Sequence, residues 1–426
     1  MRSAMRHGLA SWAAILSLIT ASATMAADNG TALSPGTVIT AKNIDRLLEA
    51  SYGGHRIPDM LPERIVWQIR EHNLTIPLGE IRPHPIDPRY AELTRKYADQ
   101  ARLDADKKLV GWVGGVPFPE LDPNDPDIAW KVIWNSQRGR QSGDSLDQPK
   151  FSYLLIDGNT GVERKQVWTY RLILLKGRVT GGAPSIGEPD AYQKSLIVAL
   201  APQDIKGVGT FAIRYNTGKV DDSWAYVRDV RRVRRLSASA WMDPIGSTDE
   251  LGDDFGIFGA YPTWYADYKF LGKTTILAVA NSISPQWNED ASNIDDEFPG
   301  FDLTNRPHWN PINDWEPREV YVIEGTPEPE HPYSRKVGYI DAKTWNVYYG
   351  EAFDKSGEFW KSMYQGIRVW PDASDPEGDI VWPNWGSTID FQKYHGTIFT
   401  SHPSWLFGSP VTEEDVSLTV LEAQGR

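Results

Sequence analysis

The sequence contains no cysteine. Disulfides, thiolate metal sites and cysteine nucleophiles are thereby excluded, and no cysteine is present to carry a lipid anchor. The eight histidines are scattered and none stands four residues from another, so a helical two-histidine metal site is missing. The nucleophile elbow G-x-S-x-G and the Walker glycine-lysine loop are also absent. "DPNDPDIAWKVI" begins like an oxygen-rich calcium loop, but it lacks glycine at its sixth place and glutamate at its twelfth. These absences predict a protein with no catalytic residues, no metal and no cofactor. After the first 26 residues no segment approaches the ~18 uninterrupted apolar residues of a membrane-spanning helix. Net positive charge is lacking too: the formal charge is -13. A bulk negative field repels phosphate, which argues against nucleic acid as a partner.

The N-terminus carries Arg2 and Arg6, an apolar run from Leu9 to Ile19, and small residues at Ala23 and Ala26. That order predicts a secretory signal peptide over 1–26. Export without disulfides points to a bacterial periplasm. Residues 27–110 read as a region of helices and loops packing on a sheet. Ile44, Leu47 and Leu48 share a helix face, and "RYAELTRKYADQARLDADKKL" reads as one charged helix with Leu93, Tyr97, Ala101 and Ala105 on one side. From 111 to 426 aromatic-rich alternating segments are separated by turn residues. Two strands flank Asp157-Gly158-Asn159, and a meander turns at 341–344 and 354–357. Helical crossovers between strands are missing, so the sheet is expected to be antiparallel. Between about 245 and 315 the alternation breaks up into loops, with a short helix near Trp264 to Tyr268 and a lid-like cover over 281–315.

Against its acidic background, the stretch "YVRDVRRVRR" holds five arginines in ten residues. On a strand Arg232 and Arg234 share one face while Arg231 and Arg235 share the other, which is not a one-sided phosphate footprint. Two readings stay open. The arginines brace a sheet rim by pairing with Asp221, Asp222, Asp229, Asp249, Glu250, Asp253 and Asp254, or some of them hold an anionic headgroup in a cavity.

"GWVGGVPFP", "AWKVIWN", "PQDIKGVGTF", "DDSWAYVRDVRRVRR", "GSTDELGDDF", "WEPREVYVIEG" and "YSRKVGYIDAKTWNVYYGEAFDKSGEFWK" occur in that order. As a set they resemble a bacterial family of exported proteins of unknown function, described as outer-membrane lipoprotein-sorting-like for its similarity to the carriers LolA and LolB. One departure is Val227-Arg228-Asp229, where the family commonly has a proline-containing turn. The resemblance implies a β-dominated α+β fold: a large curved antiparallel sheet, an incomplete barrel covered by helices around an apolar cavity. It also implies a carrier of a hydrophobic molecule or lipid across the periplasm. Resistance-nodulation-division exporters and an outer-membrane β-barrel protein are the partners that it implies.

The aromatic content fits such a wall. Eighteen tryptophans, eighteen tyrosines and thirteen phenylalanines give large apolar area with polar handles. Trp168, Tyr170, Trp224 and Tyr226 are candidates to line the cavity, or alternatively an ordinary core. Arg232, Arg234, Trp315 and Arg318 complete the candidate ligand-binding set. Two other functions remain in view. One is a glycan-binding protein or glycosidase, in which tryptophans stack on sugars and Asp253 and Asp254 do acid–base work. The other is a structural partner of an outer-membrane barrel.

Overall fold

The Asp157 carboxylate accepts hydrogen bonds from the backbone of Asn159 (2.8 Å) and Thr160 (2.9 Å), which turns the chain after Asp157. The computed structural model describes residues 31–283, 294–402 and 404–426. The expected signal peptide and residues 284–293 of the expected lid lie outside them. The turn joins β1 (Ser145–Asp157) to β2 (Gly161–Leu174). Next come β3 (Ala191–Ala201), β4 (Gly209–Tyr215), β5 (Asp222–Val227) and β6 (Arg232–Arg235). Then follow β7 (Tyr265–Ala278), β8 (Glu316–Pro327), β9 (Arg335–Asp341), β10 (Val347–Phe353) and β11 (Phe359–Asp372). β12 (Asp375–Asp390), β13 (His395–Ser401) and the short β14 (Leu406–Phe407) complete the set.

These strands form one curved sheet that is not closed as a barrel, in the order β6-β5-β4-β3-β2-β1-β13-β12-β11-β10-β9-β8-β7. Every pairing along that path is antiparallel, as expected; β14 adds a parallel bridge to β11. The chain thus grows outward from β1 to one edge at β6. It then crosses to the opposite edge at β7 and returns to place β13 beside β1. The crossover, residues 236–264, lies over one face of the sheet, the inner face.

Four helices of eight or more residues accompany the sheet among the described residues: α1 (Glu63–Glu71), α2 (Pro88–Tyr97), α3 (Ile128–Arg138) and α4 (Leu418–Gly425). α2 starts where Asp87 accepts from the Arg89 backbone, with Pro88 at its first position. It is shorter than expected. Asp104 accepts from the backbone of Asp106 and Lys108, and this turn pairs Arg102–Leu103 with Leu109–Val110 in place of a helix. The sequence reading missed α3, and the reason is physical. Ile128, Trp130, Val132, Ile133, Trp134 and Asn135 are all buried, and the tryptophans and β-branched residues among them favour a strand reading, although Lys131, Asn135 and Arg138 fall at helical spacing. A further correction falls at 264–268. A single turn of 3-10 helix at Pro262–Trp264 gives way to β7, whose register shifts between Tyr265 and Asp267 and between Phe270 and Gly272. Those shifts broke the alternation that would have marked it.

On the face opposite the crossover, Ile39, Ile57, Met60, Ile65 and Ile69 pack with Leu154, Ile156, Trp385 and Ile398 of the sheet. Phe298, Phe301 and Trp309 join this same cluster. The described part of the expected lid is therefore a packed cover of that face. Deleting 294–315 is expected to unfold the sheet rather than only change retention of a ligand.

Candidate ligand-binding site

The crossover is fixed to the inner face by a buried ion cluster. Gly252–Asp254 form a single 3-10 turn, and both aspartates converge on Lys336 of β9, which donates to Asp253 at 2.7 Å and Asp254 at 2.8 Å. Tyr265 donates to Asp253 and Tyr333 to Asp254, each at 2.6 Å, and the His331 ring lies 3.4 Å from Asp253. The Asp253, Lys336 and His331 side chains are fully buried. Burial alone would raise the Asp253 carboxyl, but the Lys336 ammonium and His331 together hold it below the ordinary carboxylate range. Farther along, Lys361 donates to the Asp249 carbonyl at 2.6 Å, while the Asp249 carboxylate meets His395 and Thr397. Glu250 lies beside Tyr153; burial, with Asp254 nearby, pushes its carboxyl up to about 8.

This arrangement corrects the expected pairing of the acids with the arginine hairpin. Asp249, Asp253 and Asp254 pair with histidine and lysine, not arginine. The acid pair offered for glycoside chemistry is occupied by an ammonium and two phenols, without access to solvent. Two of the arginines do brace the rim: Arg235 pairs with Asp222, and Arg228 donates to the carbonyls of Gln203 and Asp204. Arg231, Arg232 and Arg234 are exposed on the edge strand or just before it, with no ion pair among the described residues. Exchanging Arg232 and Arg234 together for serine is therefore expected to shift unfolding stability by less than about 0.5 kcal/mol. Chemical denaturation checks this, and a loss above about 2 kcal/mol would reveal a bracing role.

The four candidate aromatics do not share one wall. Trp168 and Tyr170 lie on the inner face with Leu155, Ala199 and Trp370. Trp224 and Tyr226 lie on the other face, where Trp224 stacks on Phe211 at 5.6 Å and α4 covers both. The register accounts for the split: Trp224 stands opposite Phe211, Phe211 opposite Leu196, and Leu196 opposite Arg171, not Tyr170. Trp315 is buried on that same opposite side near Tyr364. Arg318 is spent on Tyr348 (3.0 Å), His84 (2.6 Å) and nearby Asp341. Trp224, Tyr226, Trp315 and Arg318 are thus packed structural groups, and Arg232 and Arg234 face solvent at the edge.

What the inner face does present is a partly open apolar patch around Tyr170. Leu172, Ile197, Trp382 and Phe399 are half-buried around the cluster of Trp168 and Trp370. The crossover adds Phe255, whose ring lies 6.1 Å from Tyr170 and 6.5 Å from Phe399. Phe255 is 40% exposed, and it is the only aromatic side chain open to this degree among the described residues. Burial raises the Tyr170 phenol to about 12, so it stays neutral. At the head of the patch, where α3 ends, stand Arg138 and Arg140. Beyond α3 a groove of about 730 Å³ opens between α2 and the Val116–Glu120 segment, lined by Ile86, Tyr90, Ala91, Phe118 and Gly139 among others. "GGVPFP" thus has one side in the core through Phe118 and the other on this groove. Phe255, Trp382, Phe399 and the two arginines escaped sequence reasoning because they come from the crossover, from distant strands and from an unrecognised helix.

Fold and site together define a class: a strand-dominated protein whose open antiparallel sheet is crossed by a buried strap, with apolar side chains left reachable beside it. Within that class the chain belongs to the family described as "Protein of unknown function (DUF1329)", which it matches over residues 38–410. PA3922 of Pseudomonas aeruginosa, an uncharacterised protein, is 26% identical over 160 residues, which is 36% of this chain and 33% of that protein. A DUF1329 family protein of Desulfovibrio piger superposes with a TM-score of 0.44 at 17% identity, covering 66% of this chain and 92% of the other. A LolA superfamily protein of Nitrosomonas europaea gives a TM-score of 0.37 at 12% identity, covering 68% and 98%. Among the described residues no helix is long and apolar enough to cross a membrane.

Proposed function

We propose that this protein is a non-catalytic periplasmic binding protein that carries a hydrophobic molecule, such as a lipid, between the two membranes. The observation that carries the reading is the solvent-reached patch of Phe255, Tyr170, Leu172, Ile197, Trp382 and Phe399, set in an otherwise packed inner face. An exposed phenylalanine ringed by half-buried aromatics stands as a ready contact for an apolar guest. The family resemblance supports the same reading and adds the membrane exporter and the outer-membrane barrel as handover partners.

Covering about 100 Å² of apolar area on Phe255 is worth roughly 2.5 kcal/mol, or about 60-fold in affinity. An environment-sensitive apolar dye is expected to bind the native protein. Phe255→Ala is expected to weaken binding by tenfold or more while the melting temperature barely moves, because the ring is exposed. Equal dye affinity in the variant, or no dye binding by the native protein, removes the reading.

A further inference from the structure

The patch ends at two arginines that have no acid partner among the described residues. Arg138, the last residue of α3, is 6% exposed and its guanidinium lies 3.6 Å from the Tyr192 ring centre, with Trp134 (5.4 Å), Trp112 (5.7 Å) and Tyr261 (5.8 Å) around it. Its Nη1 donates at 3.3 Å to the Gln137 carbonyl, while Nε and Nη2 have no acceptor among the described residues. Arg140 donates from Nη2 to the Ser136 hydroxyl at 3.0 Å, and its Nε has no acceptor among the described residues. It lies 5.9 Å from Trp382 and its Nη1 comes close to Gly256, the residue after Phe255. No carboxylate pairs with either arginine among the described residues. Arg214, another buried arginine, by contrast has Asp221 at 3.0 Å and the Gly259 carbonyl at 2.7 Å.

Aromatic rings offset part of the cost of burying Arg138, through the attraction of a cation to a ring face. They leave Arg140 with a desolvated charge and open donors beside an apolar surface. Such a charge calls for an anion, and arginine's planar fork fits carboxylate and phosphate oxygens. We propose that the site takes an amphiphile: its apolar tail lies along Phe255, Tyr170 and Trp382, and its acidic headgroup, carboxylate or phosphate, is paired by Arg140 with Arg138 behind it. This rests on the binding function proposed above. A cation at the end of a helix also agrees with the sign of the helix dipole, so the pair is tolerated while the site waits for its ligand.

Displacement of the apolar dye by dodecanoate, dodecyl phosphate and dodecanol separates the two claims. The native protein is expected to bind one or both acids at least about tenfold more tightly than the alcohol, the scale of one charge-assisted hydrogen bond. The stronger acid names the headgroup. Arg140→Gln is expected to bring the acids to the affinity of the alcohol while leaving the alcohol unchanged. Arg140→Lys, which keeps the charge without the fork, is expected to retain part of the preference and carries the test where the glutamine variant is unstable. Equal binding of acids and alcohol by the native protein, or an acid preference that survives Arg140→Gln, overturns the headgroup subsite and leaves the apolar site standing. Failure of all three compounds to displace the dye overturns both.

Discussion

Lys336→Met is expected to lower unfolding stability by about 3–5 kcal/mol, far more than any exchange of an exposed side chain in this protein. The ammonium is fully buried and holds Asp253, Asp254 and the Ile257 carbonyl, at 2.7, 2.8 and 2.8 Å. Without it two carboxylates remain side by side in a medium that cannot solvate them, and their hydrogen bonds from Tyr265 and Tyr333 do not neutralise them. Adding Asp253→Asn to Lys336→Met removes one stranded charge and is expected to recover part of the loss. Denaturant midpoints for the two variants check both statements. A loss under about 1 kcal/mol for Lys336→Met would mean that the crossover is held by packing alone.

Stability is expected to fall as pH rises from about 5 to 8, and Glu250 is the main cause. Its carboxyl is pushed up to about 8 by burial, so the folded chain holds a proton that the unfolded chain has released. The contribution is therefore full below the ordinary glutamate value and is lost as pH climbs through the folded one. A shift of this size corresponds to at most about 5 kcal/mol. Asp254 and Tyr153 face the carboxyl, and the Lys361 and Lys336 ammoniums oppose the shift. His395, raised by its hydrogen bond to Asp249, works in the same direction over a narrower range. Lys361, lowered by burial, works the other way, gaining stability as pH rises toward the ordinary lysine value. Asp253, held low, adds stability above the ordinary aspartate range that is lost in acid. Glu250→Gln keeps shape and hydrogen bonding without the titration, so most of the fall from pH 5 to 8 is expected to disappear, leaving the part that His395 contributes. A native protein that is equally stable at both ends contradicts the assignment.

Local turn chemistry made much of the sheet legible. The Asp157-Gly158-Asn159 hairpin, the meander turns at 341–344 and 354–357, and the antiparallel pairing all follow from residue types within a few positions of one another. Trp224 and Tyr226 do share a face, as their spacing requires, but spacing cannot say which face. That depends on register through three neighbouring strands and on where α4 packs. On a strand the adjacent Asp253 and Asp254 would point to opposite faces. Gly252 before them and Gly256 after them mark a tight turn, and in a 3-10 turn adjacent side chains can meet one partner. The partner, Lys336, lies more than eighty residues away and no local pattern points to it. The patch was illegible for the same reason: Phe255, Trp382 and Phe399 meet only because the chain crosses from one sheet edge to the other.

Central to the proposed function is an inner face that receives an apolar guest beside Phe255. Native mass spectrometry of the protein released from the cell envelope without detergent tests this most directly. The predicted spectrum shows the chain carrying added mass that organic extraction removes, and Phe255→Ala depletes that added mass. A spectrum of bare polypeptide from native and variant alike would contradict it.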